Sequence, residues 1–161
     1  MKKIWIANDH GGYALKLKVL SFLEQKGIPY NDVGSSSAEI VRYPYYAAKV
    51  AHAVSTGEAD RGILICTTGI GMSILANKYK GVRAALCTDS CQAKMTRAHN
   101  DSNILCLGGG IVGDTMALDI LESWLDTEYI GGRHDISLGL IREAEETLCA
   151  TGEWIPKNPD L

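Results

Sequence analysis

The feature that most constrains this chain is its alternation of short, unbroken apolar runs with longer stretches of helical periodicity. Strands are predicted at Lys3–Ala7, Ile28–Val33, Gly62–Cys66, Val82–Cys87 and Asn103–Leu107. Helices are predicted at 13–26, Tyr43–Ser55, 71–78, Ser90–Ala98, 114–125 and 136–149, with Gly27 stopping the first and Pro44 in the first turn of the second. Runs that are apolar on every residue, rather than on alternate ones, suit strands covered on both faces. With a helix between each pair, the expectation is a three-layer αβα, Rossmann-like doubly wound sheet of five parallel strands with an extra C-terminal helix. One domain over residues 1–150 and a tail over 151–161, docked by Trp154, complete the expected organisation.

Composition then removes several function classes. Of 161 residues 46% are hydrophobic and 22% charged, enough for a soluble core. A net charge of −3 offers no broad basic face, so no nucleic-acid partner is expected. No apolar stretch nears the roughly 20 residues that span a bilayer, so no membrane partner is expected either. Met1-Lys2-Lys3 runs directly into the first strand without a signal-peptide pattern. The five cysteines are odd in number and lack paired spacing, which points to a reducing, cytoplasmic setting rather than a disulfide framework. Cys87 and Cys91 have no zinc-type partner pair, and no metal is expected.

The chemistry concentrates where predicted strands end, which is where open α/β sheets bind ligands. In Gly62-Ile63-Leu64-Ile65-Cys66-Thr67-Thr68-Gly69-Ile70-Gly71 a thiol closes a strand and runs into a glycine loop. A free thiol titrates near pH 8.5, and a following helix amino end favours the thiolate. Such a base beside main-chain donors can take a proton next to a carbonyl. The competing readings are a small core residue for Cys66 and a tight strand-to-helix turn for the loop. Gly69-x-Gly71 also brushes the dinucleotide fingerprint, but Ile74 occupies the third glycine's place and the loop follows the wrong strand.

Asn8-Asp9-His10 follows the first strand, Thr88-Asp89 the fourth and Gly108-Gly109-Gly110 the fifth. Asp9-His10 reads either as a helix cap or as a carboxylate and imidazole facing sugar hydroxyls and phosphate. His99-Asn100-Asp101 ends a helix, on the opposite rim by topology, so it reaches the same site only from a second subunit. Arg133, between Gly132 and His134, is a candidate anion contact or an exposed arginine without a role, and His52 is assigned none.

These pieces together resemble the ribose-5-phosphate isomerase type B and galactose-6-phosphate isomerase family. The resemblance runs from Lys3 to about residue 149. It rests on Asn8-Asp9-His10-Gly11-Gly12, Tyr43-Pro44, Gly62 through Gly71, Ala76-Asn77-Lys78, His99 through Asn103, Ile111-Val112-Gly113 and Gly131-Gly132-Arg133-His134. It implies an aldose–ketose isomerase that needs no metal or organic cofactor. Cys66 would move a proton between carbons 1 and 2 of an open-chain sugar. The backbone of Thr67, Thr68, Gly69, Ile70 and Gly71, with the Thr68 hydroxyl, would hold the enediolate oxygen. His99 would assist ring opening, Asp9 and Asn100 would hold sugar oxygens, and His10 and Arg133 would lie toward the phosphate. The partners implied are a sugar or sugar phosphate and further copies of the chain, in a homodimer or homotetramer with shared sites.

Departures from that pattern bear on the substrate. Gly110 and Ser137 stand where the family usually has phosphate-binding arginines, Thr67 stands where it usually has glycine, and Arg42 replaces an aspartate before Tyr43-Pro44. Arg42 can restore the lost charge, or the site can take a different phosphosugar or a free sugar. Ribose 5-phosphate and ribulose 5-phosphate are the default pair. A catalytically silent sugar-binding protein is the alternative of another class, and a nucleotide-dependent oxidoreductase rests on fold alone.

Overall fold

The computed structural model describes residues 3–155, which form two compact units divided between Tyr129 and Ile130. Compactness thus breaks ahead of the last helix rather than at residue 150. The first unit holds the sheet: β1 (Ile4–Asn8), β2 (Tyr30–Asp32), β3 (Arg61–Cys66), β4 (Ala84–Leu86) and β5 (Ile104–Gly108). They lie in the order β2-β1-β3-β5-β4, every neighbouring pair parallel. The helices of this unit are α1 (Tyr13–Gln25), α2 (Tyr43–Ser55), α3 (Ile70–Ala76), α4 (Ser90–Asn100) and α5 (Asp114–Asp126), with a single 3-10 turn at His10–Gly12.

The expected αβα layering is present because the strands bury both faces. Ile4, Ile6, Ile63, Ile65, Leu105 and Leu107 point to one side, where α1 brings Leu15, Val19 and Leu23 and α5 brings Ala117, Ile120, Leu121 and Trp124. Ala7, Leu64, Cys66, Ile104 and Cys106 point to the other, against Ala47, Val50 and Ala51 of α2 and Met72 and Ala76 of α3. Period-two alternation assigns Cys66 to the α2 and α3 side.

Several boundaries differ from expectation. β2 and β4 are the edge strands and pair for three residues each, so their outer ends stay outside the ladder. α3 begins one residue early, because Gly69 adopts φ +76° and turns the chain straight into it. α4 continues through Asn100 and closes on Asp101 in the left-handed region at φ 45°.

The second unit contains α6 (Arg133–Thr151), which starts earlier than predicted, at the arginine itself, and buries none of its residues. Ile136, Leu140, Ile141 and Leu148 are exposed on it. Trp154 Nε1 donates to Glu143 Oε1 at 3.3 Å, so the tail's tryptophan does fold back on this helix. Residues 156–161 of the tail lie outside the described residues. Among the described residues no helix is long and apolar enough to cross a membrane.

Candidate active site

The switch point of the sheet lies between β1 and β3, from which the strand order runs outward in both directions. Both strands deliver chemistry to that crevice, Asp9 following β1 and Cys66 ending β3. The Asp9 amide donates to the Ile65 carbonyl at 3.1 Å, which locks the two strand ends together.

Cys66 is buried, 5% exposed, and packs in the core on the α2 and α3 side of the sheet, as the competing reading of a small core residue expects. The Gly69 amide donates to Sγ at 3.1 Å. The loop's other committed donor is the Ile70 amide, which gives to Thr68 Oγ1 at 3.3 Å. Two amides expected to face an outside oxygen are therefore engaged within the loop here. Gly71 and Met72, in the first turn of α3, lack intrahelical acceptors by the geometry of a helix start.

The other strand cysteines define the contrast. Burial pushes the Cys87 thiol up to about 11, with Asp89 adding to the effect. Burial drives Cys106 far above the ordinary thiol range, and neighbouring Cys66 and Cys87 raise it further. Both are inert core groups at neutral pH. Cys91 and Cys149 are exposed.

Asp9 fills the cap role that competed with ligand binding: Oδ1 accepts from the Gly11 and Gly12 amides at 2.9 and 3.2 Å. Its Oδ2 lies 4.0 Å from His10 Nδ1. His10 Nδ1 is also 3.2 Å from the Val41 carbonyl oxygen, which ties the β1 loop to the entry of α2. Arg42 is the exposed N-cap residue of α2 in extended conformation. The Tyr43 ring lies over Gly71, where a Cβ would come within 2.7 Å of the ring. Asp9, His10, Arg42, Tyr43 and Cys66 through Gly71 thus share one rim. Val41 was not legible as part of it, since only the fold brings a valine carbonyl to an imidazole 31 positions away.

Gly110 sits on the same rim, its amide donating to the Thr67 carbonyl at 2.8 Å. Asp89, the group after β4, caps α4 by accepting from Gln92 at 2.8 Å.

His99 and Asn100 are elsewhere. Arg83, just before β4, donates from Nε to the Asn100 and Asp101 carbonyls at 3.0 Å each, which pins the end of α4 to the rim where strands begin. Six residues of β3 separate the rims, about 20 Å at the usual rise. The opposite-rim placement read from topology holds. Arg133 opens α6, and Ser137 lies on that helix, both in the second unit. Among the described residues no three His, Cys, Asp or Glu side chains are grouped to hold a metal ion.

The chain and its fold match a known set of proteins. The family model for ribose/galactose isomerases covers residues 4–141. The chain belongs to the ribose/galactose isomerase family. Ribose-5-phosphate isomerase B of Escherichia coli is 44% identical over 146 residues, covering 91% of this chain and 98% of that protein. The solved ribose-5-phosphate isomerase B of Clostridium thermocellum is 52% identical with a TM-score of 0.88, covering 90% of this chain and 98% of the other. The D-erythrulose-4-phosphate isomerase of Pectobacterium atrosepticum is 40% identical over 133 residues, covering 82% of this chain and 88% of that protein. Membership makes this chain an aldose–ketose isomerase of the Rossmann-like type, as the sequence motifs implied.

Proposed function

We propose that this isomerase interconverts ribose 5-phosphate and ribulose 5-phosphate, with Cys66 as the base that carries the proton between carbons 1 and 2. The observation that carries the reading is Cys66 at the carboxyl end of β3, its sulfur hydrogen-bonded by the Gly69 amide and followed by the first turn of α3. As an enediolate forms, negative charge grows on the sugar oxygen, and fixed amide donors stabilise it without reorganising. The Gly71 amide and the Thr68 hydroxyl are the donors assigned here, Asp9 Oδ2 accepts from a sugar hydroxyl, and His10 and Arg42 lie toward the phosphate.

His99 supplies the proton transfer for ring opening and Asn100 holds a sugar oxygen, both from a second copy of the chain. Two features support this sharing. The end of α4 lies a full strand length from Cys66 within one copy. On α2 and α3, the helices that cover the Cys66 face of the sheet, Tyr45, Ile70 and Ile74 are 75%, 51% and 57% exposed, apolar surface suited to cover by another subunit.

A second substrate reading has its own support. Gly110 carries no cation on the rim, and a relative with 40% identity acts on a four-carbon ketose phosphate by its name. Incubation with ribose 5-phosphate, erythrulose 4-phosphate and free ribose in deuterated water tests both. Deuterium should appear at carbon 2 of ribose 5-phosphate, and not in a Cys66→Ala variant. Exchange with erythrulose 4-phosphate alone moves the assignment to the shorter sugar. Exchange that survives in Cys66→Ala removes the thiol from the mechanism.

A further inference from the structure

The rim where the strands begin carries a feature that the isomerase reaction does not use. A cavity of about 390 Å³ opens there, and its charged walls are Asp60, Arg61, Arg83, Arg97, Asp101 and Glu128, all in the first unit. The floor is built from two arginines that are themselves buried, Arg61 at 3% exposure and Arg97 at 5%. Both guanidinium groups lie over the Trp124 ring, 5.1 and 6.0 Å from its centroid.

Their hydrogen bonds are unequal. Arg97 donates from Nη1 to Asp101 Oδ1 at 2.8 Å and to the Ser102 carbonyl at 2.6 Å. Arg83 donates from Nη2 to Asp101 Oδ2 at 2.9 Å, so one carboxylate serves two cations. Arg61 donates from Nη1 to the Trp124 and Leu125 carbonyls at 3.4 and 3.0 Å. Its Nη2 is buried without any hydrogen-bond partner. Asp60, the nearest carboxylate in sequence, accepts from the Lys3 amide at 2.6 Å. Burial and the charge of Arg97 pull the Arg61 pKa down, against the opposing influence of Glu128, Asp101 and Asp60. A desolvated guanidinium nitrogen without an acceptor is a rare and costly arrangement, and a turn of the Arg61 side chain toward the cavity it lines would bring it to an outside oxygen.

We propose that this cavity binds a small oxyanion, the phosphate or carboxylate group of a metabolite, with Arg61 Nη2 as its central donor and Arg83 at its mouth. The volume suits a small molecule, since ligand cavities run from roughly 300 to 1,000 Å³. The carboxylates of Asp60, Asp101 and Glu128 disfavour a polyanion such as nucleic acid and admit a single charged group. Within one copy the cavity lies a strand's length from Cys66, because β3 has Arg61 at one end and Cys66 at the other, and it borders the end of α4 that carries His99 and Asn100.

Trp124 gives a direct reporter, because its indole N–H donates to Ser102 Oγ at 2.8 Å beneath the two guanidinium groups. In ¹⁵N NMR at constant ionic strength, titration with inorganic phosphate should shift the Trp124 indole signal saturably and leave Trp5 and Trp154 in place. A parallel titration with acetate distinguishes a phosphate from a carboxylate preference. Arg61→Gln should abolish the saturating shift. Arg83→Gln, at a partly exposed position, should weaken it about tenfold through loss of a charged contact and decides the matter if Arg61→Gln fails to fold. A Trp124 signal that does not respond to either anion, or one that saturates equally in the folded variants, overturns the proposal. Neither result depends on which sugar the Cys66 site uses.

Discussion

The main-chain amide of Gly69 donates to the sulfur of Cys66 across 3.1 Å, and that bond exists because Gly69 adopts φ +76°. At that angle the residue has no room for a side chain: a Cβ would meet Leu86 Cδ1 at 2.5 Å and the Leu107 carbonyl carbon at 2.9 Å. The turn that ends β3 is thereby the device that aims an amide at the thiol. Replacing the sulfur tests its chemistry while leaving this turn in place. Cys66→Ser keeps the shape but provides an alcohol that does not ionise near neutral pH. Turnover should fall by about 10²–10⁴-fold, the usual worth of a positioned base, with the melting temperature little changed. A Cys66→Ser enzyme within tenfold of the parent rate contradicts the assignment.

Gly71 and Tyr43 should behave as a coupled pair. A methyl at Gly71 would lie 2.7 Å from the Tyr43 ring, which must then swing away, and Tyr43 is 37% exposed and free to do so. Gly71→Ala should raise KM for ribose 5-phosphate while lowering the unfolding temperature little. In a Tyr43→Ala background the same substitution should cost far less, and steady-state kinetics of the four proteins in the cycle measures the difference.

The strand cysteines predict how stability responds to alkali. Cys87 has its folded-state pKa raised to about 11, whereas an unfolded thiol titrates near 8.5. The folded state therefore holds this proton more tightly. Its contribution is complete below the unfolded value and is lost as pH climbs toward the folded one. Urea midpoints should decline between about pH 9 and pH 11, and the decline should be shallower in Cys87→Ala. An equal slope in the variant would assign the loss to other groups.

Shared sites have a quantitative signature. Cys66→Ala and His99→Asn should each be inactive alone. Mixed and refolded in equal amounts as dimers, half the molecules carry one of each chain, and one of their two sites then has both native groups. Activity should return to about a quarter of the parent value, by the symmetry of a two-fold dimer. Recovery that stays at background places Cys66 and His99 in one copy's site or outside catalysis.

Much of this architecture could be read from the residues. Five continuous apolar runs demanded burial on both faces, and the sheet of parallel strands followed, with the central strands shifted by one residue and the larger errors at edge strands and helix ends. There the limits depend on which neighbour a strand has, and composition does not encode neighbours. Cys66, Asp9 and His10 were legible because a polar group at the end of an apolar strand must reach a rim. Local sequence also foretold that His99 would lie on the other rim, since a helix returning from a parallel strand ends there.

What the sequence did not contain were contacts between distant segments. The Val41 carbonyl at His10, the Tyr43 ring over Gly71, and the Asp101 carboxylate at Arg83 each join positions that no spacing rule connects. Arg61 shows the reason most plainly. In the sequence it is a charged residue directly ahead of an apolar strand. Packing of α5 against the sheet closes Trp124 over it, leaving one guanidinium nitrogen buried without an acceptor. Periodicity determines which face a residue occupies, and only the packed structure determines which polar atoms lose their water.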